Sequence, residues 1–474
     1  MLERKSGIII PKAHSKYDVI ERDLNRIVYG FNGNVSRRLF YEDLGDRILI
    51  PREYPISDVV DNSCIGDDID IESNIIPRND RQKKAIDFLL NNNTGVLSLE
   101  PASGKTVISI YAISNIKKRT IIFAHKTKLL KQWKEEILKF TNLEEDDIEK
   151  LSTRNFKKVL KKKIILCTEH VIPIAIKNDK KDFLKALEKS GIGIMIVDEV
   201  HVGIGPETFS MSSLHINCRR TFGLSATPTR GDGNDDIIKY HLGEVKYLEP
   251  GEDELLKPKI FLIYFNFGIY SRYRKYITWG GNFNVSRYLK QMFKVDRYNN
   301  ITSQLIRKCY NGGRTIMVLG NRVNALLELA KRSNLPKKDI GIFIPGATSE
   351  QRLSVSDTDD LDTAFKTKRV IFSTYNAGRD GNNREEIDCV IHSTPSSNVE
   401  QSIGRAQRPL QGKEQPIAID LIDTEGPKIN SYKDRSKKVN WFIKSAEKRI
   451  EVYERHGWDV ETVMLGGDQQ KNEF

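Results

Sequence analysis

Cysteine is scarce in this chain of 474 residues, which holds five cysteines and no C-x-x-C pair. This spacing argues against a zinc site and against a disulfide framework, so we expect reduced and mostly buried thiols. Long apolar runs are missing too, since no stretch approaches the roughly 18–20 residues that span a bilayer. The first five residues lack the apolar segment of a secretory signal. We therefore expect no membrane partner and a protein that stays in the cytoplasm of the cell that makes it.

Acidic residues are too few to balance the basic ones. The chain has 76 Lys and Arg against 64 Asp and Glu, a formal net charge of +12. Hydrophobic residues at 39% and charged residues at 30% are typical of a globular protein and exclude a disordered chain. Excess positive charge favours a polyanionic partner, but a solvated basic surface without function would give the same balance.

The chain is long enough for about three domains of roughly 150 residues. Residues 1–72 contain short β-prone runs punctuated by glycine, and these runs predict a small N-terminal domain. We interpret the acidic stretch from Asp58 to Asn74 as a linker. Strands and helices then alternate through 73–252 and again through 253–425, and 426–474 predicts a charged helix, 431–456, with a disordered tail.

The apolar strand candidates divide into two series separated by helix-like stretches. In the first unit they are 95–99, 120–124, 164–167, 192–197 and 221–224, and in the second they are 260–265, 315–319, 340–344, 370–373, 389–392 and 417–421. Near-continuous apolar strands between helices predict a parallel sheet covered on both faces. The predicted fold class is therefore α/β, with two tandem parallel-sheet units.

A phosphate-binding loop is predicted where the first strand runs through Leu99-Glu100-Pro101-Ala102-Ser103-Gly104-Lys105-Thr106 into a helix. Backbone N–H groups of Ala102, Ser103 and Gly104 would face phosphates at the helix start. Lys105 would neutralise the β- and γ-phosphates, and the Thr106 hydroxyl would ligate Mg²⁺. Leu99 and Ala102 depart from the usual glycine pattern, so the loop alone is a moderate signal.

A pair of carboxylates, Asp198 and Glu199, follows the buried run 194–197. Side chains after such a strand lie in the crevice where ligands bind to parallel sheets. Asp198 is a candidate Mg²⁺ ligand, and Glu199 is a candidate base that orients and deprotonates the attacking water. An acidic loop after a core strand is the alternative, which the preceding G-K-T loop disfavours.

From about residue 75 to 410 these motifs, in their order, resemble those of superfamily 2 helicases. The segment 77–86 is similar to the adenine-side motif, with Arg78 and Gln82 as base-reading candidates and Arg81 where an aromatic residue is common. Segment 125–133 resembles the strand-contacting motif Ia, and Thr168 has the place of motif Ic. Ser225 and Thr227 match the S-A-T motif that couples hydrolysis to movement.

Two further motifs of the resemblance lie in the second unit. Segment 373–381 is similar to motif V and contributes Gly381, although Asn383 stands where an aspartate is common. Segment 401–408 matches the Q-x-x-G-R-x-x-R of motif VI, with Gln401 on the nucleotide side. The resemblance implies that Arg405 and Arg408 reach ATP held by the first unit, and Arg408 is our candidate arginine finger. The alternative is that Arg405 and Arg408 form salt bridges at the protein surface.

Nucleic-acid contacts are predicted at loop residues that can hold a backbone without reading bases. The candidates are Lys126, Lys128, Thr168, Asn321, Arg322 and Thr374. Between residues 270 and 288 aromatic and basic residues alternate, and we single out Tyr273, Tyr276 and Trp279 as a stacking or strand-separating wedge. The same aromatics would equally suit packing of an insertion onto the second domain.

The N-terminal segments 38–43 and 50–54 resemble those of the UvsW-like helicases of phages and large DNA viruses. This group includes T5-like phage helicases acting on branched DNA. The resemblance implies paired RecA-like domains, ATP and Mg²⁺ as cofactors, 3′→5′ movement on forked or four-way DNA, and a monomer or weak oligomer in the host cytoplasm. The N-terminal domain, with Lys16, Arg37 and Arg38, is a candidate duplex-binding module.

Three other functions compete with a DNA helicase. The motor of a restriction or nuclease system would need a P-D…E-x-K-like cluster, which the sequence lacks. An RNA helicase of the DEAD-box type would carry D-E-A-D, whereas this chain has Asp198-Glu199-Val200-His201 and a Gln132-Trp133 pair that resembles the DNA group. A binding module with a dead ATP site is disfavoured by intact Lys105, Asp198, Glu199 and Arg408.

Overall fold

The computed structural model describes residues 2–29, 35–99, 103–200, 208–226, 235–248, 255–269, 284–379, 384–396, 399–430 and 438–465. The chain divides into two compact units, Met1–Gly251 and Glu252–Phe474. Within the described ranges each unit contains a seven-stranded sheet whose paired strands are all parallel. The predicted α/β class with two tandem parallel sheets is confirmed.

The N-terminal region forms a smaller sheet in the order β5-β6-β2-β1-β7 and a separate two-stranded ribbon of β3 and β4. Its elements are β1 (Leu2–Arg4), β2 (Ile8–Pro11), α1 (Tyr17–Leu24), β3 (Asn25–Tyr29), β4 (Val35–Leu39), β5 (Glu42–Asp43), β6 (Arg47–Ile50) and β7 (Val59–Asp61). Side chains alternate in β2, where Ile8 and Ile10 are buried and Ile9 is exposed. This alternation is typical of a sheet with one face on a core.

The N-terminal sheet shares its core with the first large sheet. Ile8 and Ile10 belong to the same buried cluster as Phe123 and Val197 of the large sheet. The stretch interpreted as a linker is packed as well: it includes β7, and Ile71 is buried in the core of the first unit. The predicted linker is therefore part of the folded unit.

The first large sheet has the strand order β10-β11-β9-β12-β13-β8-β14. Its strands are β8 (Thr94–Ser98), β9 (Thr120–Ala124), β10 (Ile148–Lys150), β11 (Ile164–Thr168), β12 (Ile194–Asp198), β13 (Arg220–Ser225) and β14 (Val245–Tyr247). The α-helices of this unit are α2 (Asp80–Asn91), α3 (Lys105–Ile116), α4 (Thr127–Phe140), α5 (Phe156–Val159), α6 (Val171–Lys177), α7 (Lys181–Glu188), α8 (Thr208–Ser213) and α9 (Asp235–Leu242). Because all strands run the same way, their carboxyl ends lie along one edge.

The second large sheet has the strand order β17-β18-β16-β19-β20-β15-β23, and β21 and β22 form a small antiparallel ribbon. The strands are β15 (Lys259–Phe265), β16 (Ile316–Gly320), β17 (Ile340–Phe343), β18 (Val370–Thr374), β19 (Cys389–His392), β20 (Ile417–Asp423), β21 (Lys428–Asn430), β22 (Lys438–Asn440) and β23 (Asp459–Met464). The α-helices are α10 (Val285–Met292), α11 (Asp296–Asn311), α12 (Val323–Ser333), α13 (Ser349–Val355), α14 (Leu361–Thr367), α15 (Tyr375–Arg379), α16 (Glu400–Ile403) and α17 (Trp441–Arg455).

The C-terminal region differs from its prediction. The charged helix begins at Trp441 rather than at 431, because the Asn440 side chain accepts hydrogen bonds from Phe442 N and Ile443 N and so caps it. Residues 459–464, which were not predicted as a strand, form β23 and pair in parallel with β15. The helix and this strand are thus integral to the second unit.

A buried ion pair fastens α17 to the second sheet. Arg449 and Asp420 are each 1% exposed, with Arg449 Nε 2.6 Å from Asp420 Oδ2 and Arg449 Nη2 3.0 Å from Asp420 Oδ1. The Tyr453 hydroxyl also donates to Asp420 Oδ2, at 3.3 Å. Two charges removed from water are tolerated here because both are paired and hydrogen-bonded.

Replacing Arg449 by methionine is therefore expected to destabilise the chain by about 3–5 kcal/mol, because the Asp420 carboxylate would stay buried without its partner. Urea or thermal unfolding measures the loss. Lys448→Met, at an exposed neighbouring position of α17, is the matched control. The double variant Asp420→Asn with Arg449→Met should lose less than the sum of its parts. Equal stability of the Arg449 and Lys448 variants would contradict the role of the pair.

No helix among the described residues is both long and apolar enough to cross a membrane. All five cysteines are free thiols, of which Cys167, Cys218 and Cys389 are buried.

Candidate nucleotide-binding site and nucleic-acid contacts

The predicted phosphate loop connects β8 to α3 at the carboxyl edge of the first sheet. Gly104, the residue before α3, has a φ of +87°, in the left-handed region that favours glycine. A Cβ there would also lie 2.7 Å from Gln82 Nε2. Ser103, Gly104, Lys105 and Thr106 thus occupy the amino end of a twelve-residue helix, where backbone N–H groups and the helix dipole favour an anion. Ala102 lies outside the described residues.

Gln82 joins the adenine-side motif to this loop. Its Oε1 accepts a hydrogen bond from Arg78 N at 2.9 Å, and its Nε2 donates to Ser103 O at 3.0 Å. Gln82 N donates to Asn79 Oδ1, which caps α2. The structure therefore brings Gln82 and the loop together, while the Arg78 side chain is exposed.

Lys105 and Ser225 support the same loop from two sides. The Lys105 ammonium donates to Leu99 O at 3.0 Å, so the side chain folds back toward the start of the loop. Leu99 N in turn donates to Ser225 O, the last residue of β13, at 3.0 Å. The serine of the S-A-T motif thus directly contacts the strand that leads into the loop. Thr227 lies outside the described residues.

Asp198 and Glu199 stand at the carboxyl end of β12, on the same edge. Asp198 is buried, and its Oδ2 accepts a hydrogen bond from Trp133 Nε1 at 2.9 Å. Burial, followed by the neighbouring Glu199 carboxylate, raises the pKa of Asp198 to about 6, although the Trp133 and Lys105 contacts oppose this rise. Glu199 has a φ of +53°, a conformation rare outside glycine that is concentrated at functional sites.

The oxygen ligands at this edge suit Mg²⁺ bound to a nucleoside triphosphate. Carboxylate and hydroxyl oxygens, here of Asp198 and Thr106, are the hard ligands that Mg²⁺ prefers. A divalent cation would also relieve the repulsion between Asp198 and Glu199 that raises the pKa of the former. The residues present therefore fit the predicted cofactor.

Three of the predicted nucleic-acid contacts lie at neighbouring strand ends of the first sheet. Lys126 immediately precedes α4, and Lys128 is exposed in its first turn. Thr168 ends β11 and pairs with Ala124 of β9, the strand that leads into α4. The structure thus brings Lys126, Lys128 and Thr168 to one part of the carboxyl edge.

The predicted nucleic-acid contacts of the second unit also lie at strand ends, within the second large sheet. Asn321 and Arg322 are exposed and follow β16, and Thr374 ends β18, where it pairs with Gly320. Arg322 Nη2 donates to Ser286 O at 3.2 Å. The remaining candidates lie outside the described residues, so their interpretation stays a prediction: Gly381, Tyr273, Tyr276 and Trp279.

Motif VI begins in the short helix α16. Gln401 lies within it, Arg405 is 5% exposed, and Arg408 follows at the end of the motif. Burial lowers the pKa of Arg408, and nearby Glu385 partly offsets this effect. Among the described residues, Arg408 Nε and Nη1 are buried without a hydrogen-bond acceptor. Burying a guanidinium without enough hydrogen-bond acceptors costs folding free energy, so such a group is a functional-site candidate.

Lys413 fixes the backbone that carries Arg408. Its ammonium donates to Arg408 O at 2.9 Å and to Glu385 O at 2.6 Å. The pKa of Lys413 is lowered to about 8, mainly by burial. Arg408 is thus held by its backbone, while two nitrogens of its side chain lack protein acceptors among the described residues.

Glu169, a buried carboxyl group next to Thr168 in the chain, was not predicted as a site residue from the sequence. It is 4% exposed, and its Oε1 has no hydrogen-bond partner in the described parts of the chain. Burial raises the pKa of Glu169 to about 8, so the folded protein binds a proton that the unfolded chain has released above pH 4.5. No sequence signal distinguishes this glutamate from an exposed one.

Glu169→Gln is expected to stabilise the protein in a pH-dependent way. The folded pKa lies above the unfolded one, so the glutamate lowers stability increasingly as pH rises from about 4.5 to about 8. Glutamine mimics the protonated group, and we expect a gain of about 4 kcal/mol at pH 8 and of less than about 1 kcal/mol at pH 5. Melting temperatures of both proteins across this range check it. A difference independent of pH would contradict the assignment.

Comparisons with known proteins agree with this geometry. The family model described as "Type III restriction enzyme, res subunit" matches residues 75–230. A protein of Acanthamoeba polyphaga mimivirus, named as an ATP-dependent RNA helicase, is 29% identical over 78% of this chain and 67% of its own length. A helicase of Escherichia phage T5 is 24% identical over 78% of this chain and 74% of its own.

Among solved structures, S. cerevisiae Dbp5 bound to RNA and ADP BeF3 is similar, with a TM-score of 0.51 and 14% identity. The match covers 82% of this chain and 89% of that chain. At this identity the likeness concerns the fold, and it agrees with the predicted pair of RecA-like domains. The resemblance stated from the motifs is confirmed as a similarity: the mimivirus and phage relatives, which are both named as helicases, each match 78% of this chain, and the family model matches within its first unit.

Proposed function

We propose that the chain is a DNA helicase that moves 3′→5′ and unwinds or branch-migrates forked and junction DNA in replication, recombination or repair. The observation that carries the proposal is the meeting of Gln82, the phosphate loop and Asp198–Glu199 at one sheet edge, beside the strand ends that bear Lys126 and Thr168. Nucleotide and nucleic-acid candidates thus share the same unit.

In the proposed reaction the chain's own residues bind and orient ATP. Gln82 and Arg78 border the base, and Ser103, Gly104 and Lys105 hold the phosphates. Thr106 and Asp198 would hold Mg²⁺, which when bound neutralises charge on the phosphates. Glu199 orients the attacking water and accepts its proton at the carboxylate. Gln401, Arg405 and Arg408 of motif VI are assigned to the same reaction by the resemblance alone.

Hydrolysis is coupled to movement through the S-A-T motif and the strand contacts. Ser225 is proposed as a coupling residue because its backbone oxygen accepts from Leu99 N, at the start of the phosphate loop. Thr227 is proposed on the resemblance alone. The track, meaning the nucleic-acid strand along which the chain moves, would be bound at its phosphates. The proposed contacts are Lys126, Lys128, Thr168, Asn321, Arg322 and Thr374.

DNA rather than RNA is proposed as the track. The Gln132-Trp133 pair and the sequence Asp198-Glu199-Val200-His201 support DNA, and the mimivirus relative, which is named as an RNA helicase, makes RNA the second candidate. ATP hydrolysis measured with equal concentrations of oligo-dT and oligo-U separates them. We expect much stronger stimulation by oligo-dT. Preferential stimulation by the RNA would overturn the DNA assignment.

The N-terminal sheet and ribbon are proposed to bind the duplex or branch. Because this region shares a core with the first unit, deleting residues 1–72 would expose that core. Charge reversal at exposed Lys16 and Arg37 is the cleaner test. We expect weaker affinity for a four-way junction and unchanged affinity for oligo-dT. Equal junction affinity in the variant would refute this role.

A further inference from the structure

One buried hydrogen bond connects the nucleic-acid side of the first unit to its nucleotide side. Trp133 Nε1, on α4, donates to Asp198 Oδ2, at the end of β12, at 2.9 Å. Trp133 is 1% exposed and Asp198 is 8% exposed, so water competes little with this bond. The two residues are 65 positions apart in sequence.

The bond restrains the carboxylate that the proposed function assigns to Mg²⁺. A buried indole N–H requires an acceptor, and the Asp198 carboxylate is that acceptor. Because this bond engages one lone pair of Oδ2, it limits rotation of the carboxylate. Partners of this kind orient metal ligands and raise metal affinity.

Helix α4 carries this bond and two candidate track contacts on a single rigid element. Lys126 precedes the helix, Lys128 lies in its first turn, and Trp133 follows about 7.5 Å further along the axis. Leu130 and Ile137 are each buried in the core on either side of Trp133. A shift of α4 on binding a strand would therefore also shift the indole that holds Asp198.

We propose that Trp133 is a positioning residue that orients Asp198 for Mg²⁺ and transmits strand binding at the start of α4 to the nucleotide site. The inference rests on the proposed roles of Asp198 and of the track contacts, and it adds the route between them. Sequence comparison by motif treats Trp133 as part of a strand-contacting segment, whereas its ring is buried and its N–H is committed to Asp198.

Trp133→Phe tests the proposal, because it keeps an aromatic ring and removes the N–H. The control is Ile137→Val, which removes one methylene group from the same core one turn further along α4. It leaves the Trp133–Asp198 hydrogen bond intact. Binding of a fluorescent ADP is titrated with Mg²⁺, with and without oligo-dT. We expect the Phe variant to need about 10-fold or more additional Mg²⁺ for half-maximal binding. Stimulation of ATP hydrolysis by oligo-dT should fall well below that of the control.

The outcomes separate the inference from the function on which it rests. If the Phe and Val variants show the same Mg²⁺ dependence and the same stimulation, Trp133 only packs and the inference is wrong. If nucleotide binding by the unmodified chain is independent of Mg²⁺, the assignment of Asp198 to the metal fails, and the inference fails with it. Equal affinity of all three proteins for oligo-dT without nucleotide shows that the strand site itself is intact.

Discussion

Replacing Lys105 by alanine is expected to abolish ATP hydrolysis while leaving affinity for oligo-dT nearly unchanged. Lys105 starts α3 beside Gly104, and it is the cation that we propose neutralises the β- and γ-phosphates. The candidate strand contacts Lys126 and Thr168 lie at the ends of other strands, so their geometry does not depend on the Lys105 side chain. Phosphate release and fluorescence anisotropy measure the two properties separately.

Lys84→Ala, at an exposed position of α2, is the control for loss of a positive charge. It should hydrolyse ATP at the unmodified rate. Normal hydrolysis by the Lys105 variant would mean that the phosphate loop has been misassigned. Loss of oligo-dT binding together with hydrolysis would instead indicate a folding defect, which a melting curve detects.

Arg408→Ala is expected to lower kcat by about 10³-fold or more with little change in KM for ATP. The reason is that an arginine finger stabilises charge that develops only in the transition state, so its loss slows turnover more than it weakens binding. Two nitrogens of the Arg408 side chain are buried without a protein acceptor among the described residues, as suits a group whose acceptor is a phosphate. Steady-state kinetics over a range of ATP concentrations measures both parameters.

Arg154→Ala, at an exposed position of the first unit, is the matched arginine control. Arg405→Ala is the informative comparison, since both arginines of motif VI are candidates and Arg408 is our choice. A larger kcat effect at Arg405 would transfer the finger role to that residue. An effect of Arg408→Ala confined to KM would mean that Arg408 only binds ATP.

Strands in the centre of each large sheet could be predicted from sequence. β9 and β19 were predicted at their observed bounds, because a strand covered on both faces needs an unbroken apolar run. In the two large sheets, the strands that were not predicted lie at sheet edges: β10, β14 and β23. β14 and β23 are largely exposed, so no apolar run reveals them.

The candidate-site residues that lie within short contiguous sequence motifs could be identified from the sequence. The loop at Gly104 and Lys105 and the pair Asp198–Glu199 lie at strand ends, as their positions in sequence indicated. The contacts between distant segments were not predictable. Neither the Trp133–Asp198 bond nor the Asp420–Arg449 pair leaves a local pattern, since each depends on how a helix packs against the sheet.

The most direct test of the central claim is strand separation driven by ATP. Forked duplexes of DNA and of RNA, with a single-stranded 3′ or 5′ tail, and a four-way DNA junction are incubated with the chain and ATP. The Lys105→Ala variant is the negative control. We predict ATP-dependent unwinding of the DNA fork with a 3′ tail and processing of the junction, with little activity on RNA. Strand separation without ATP, by the Lys105 variant, or on RNA alone would contradict the account.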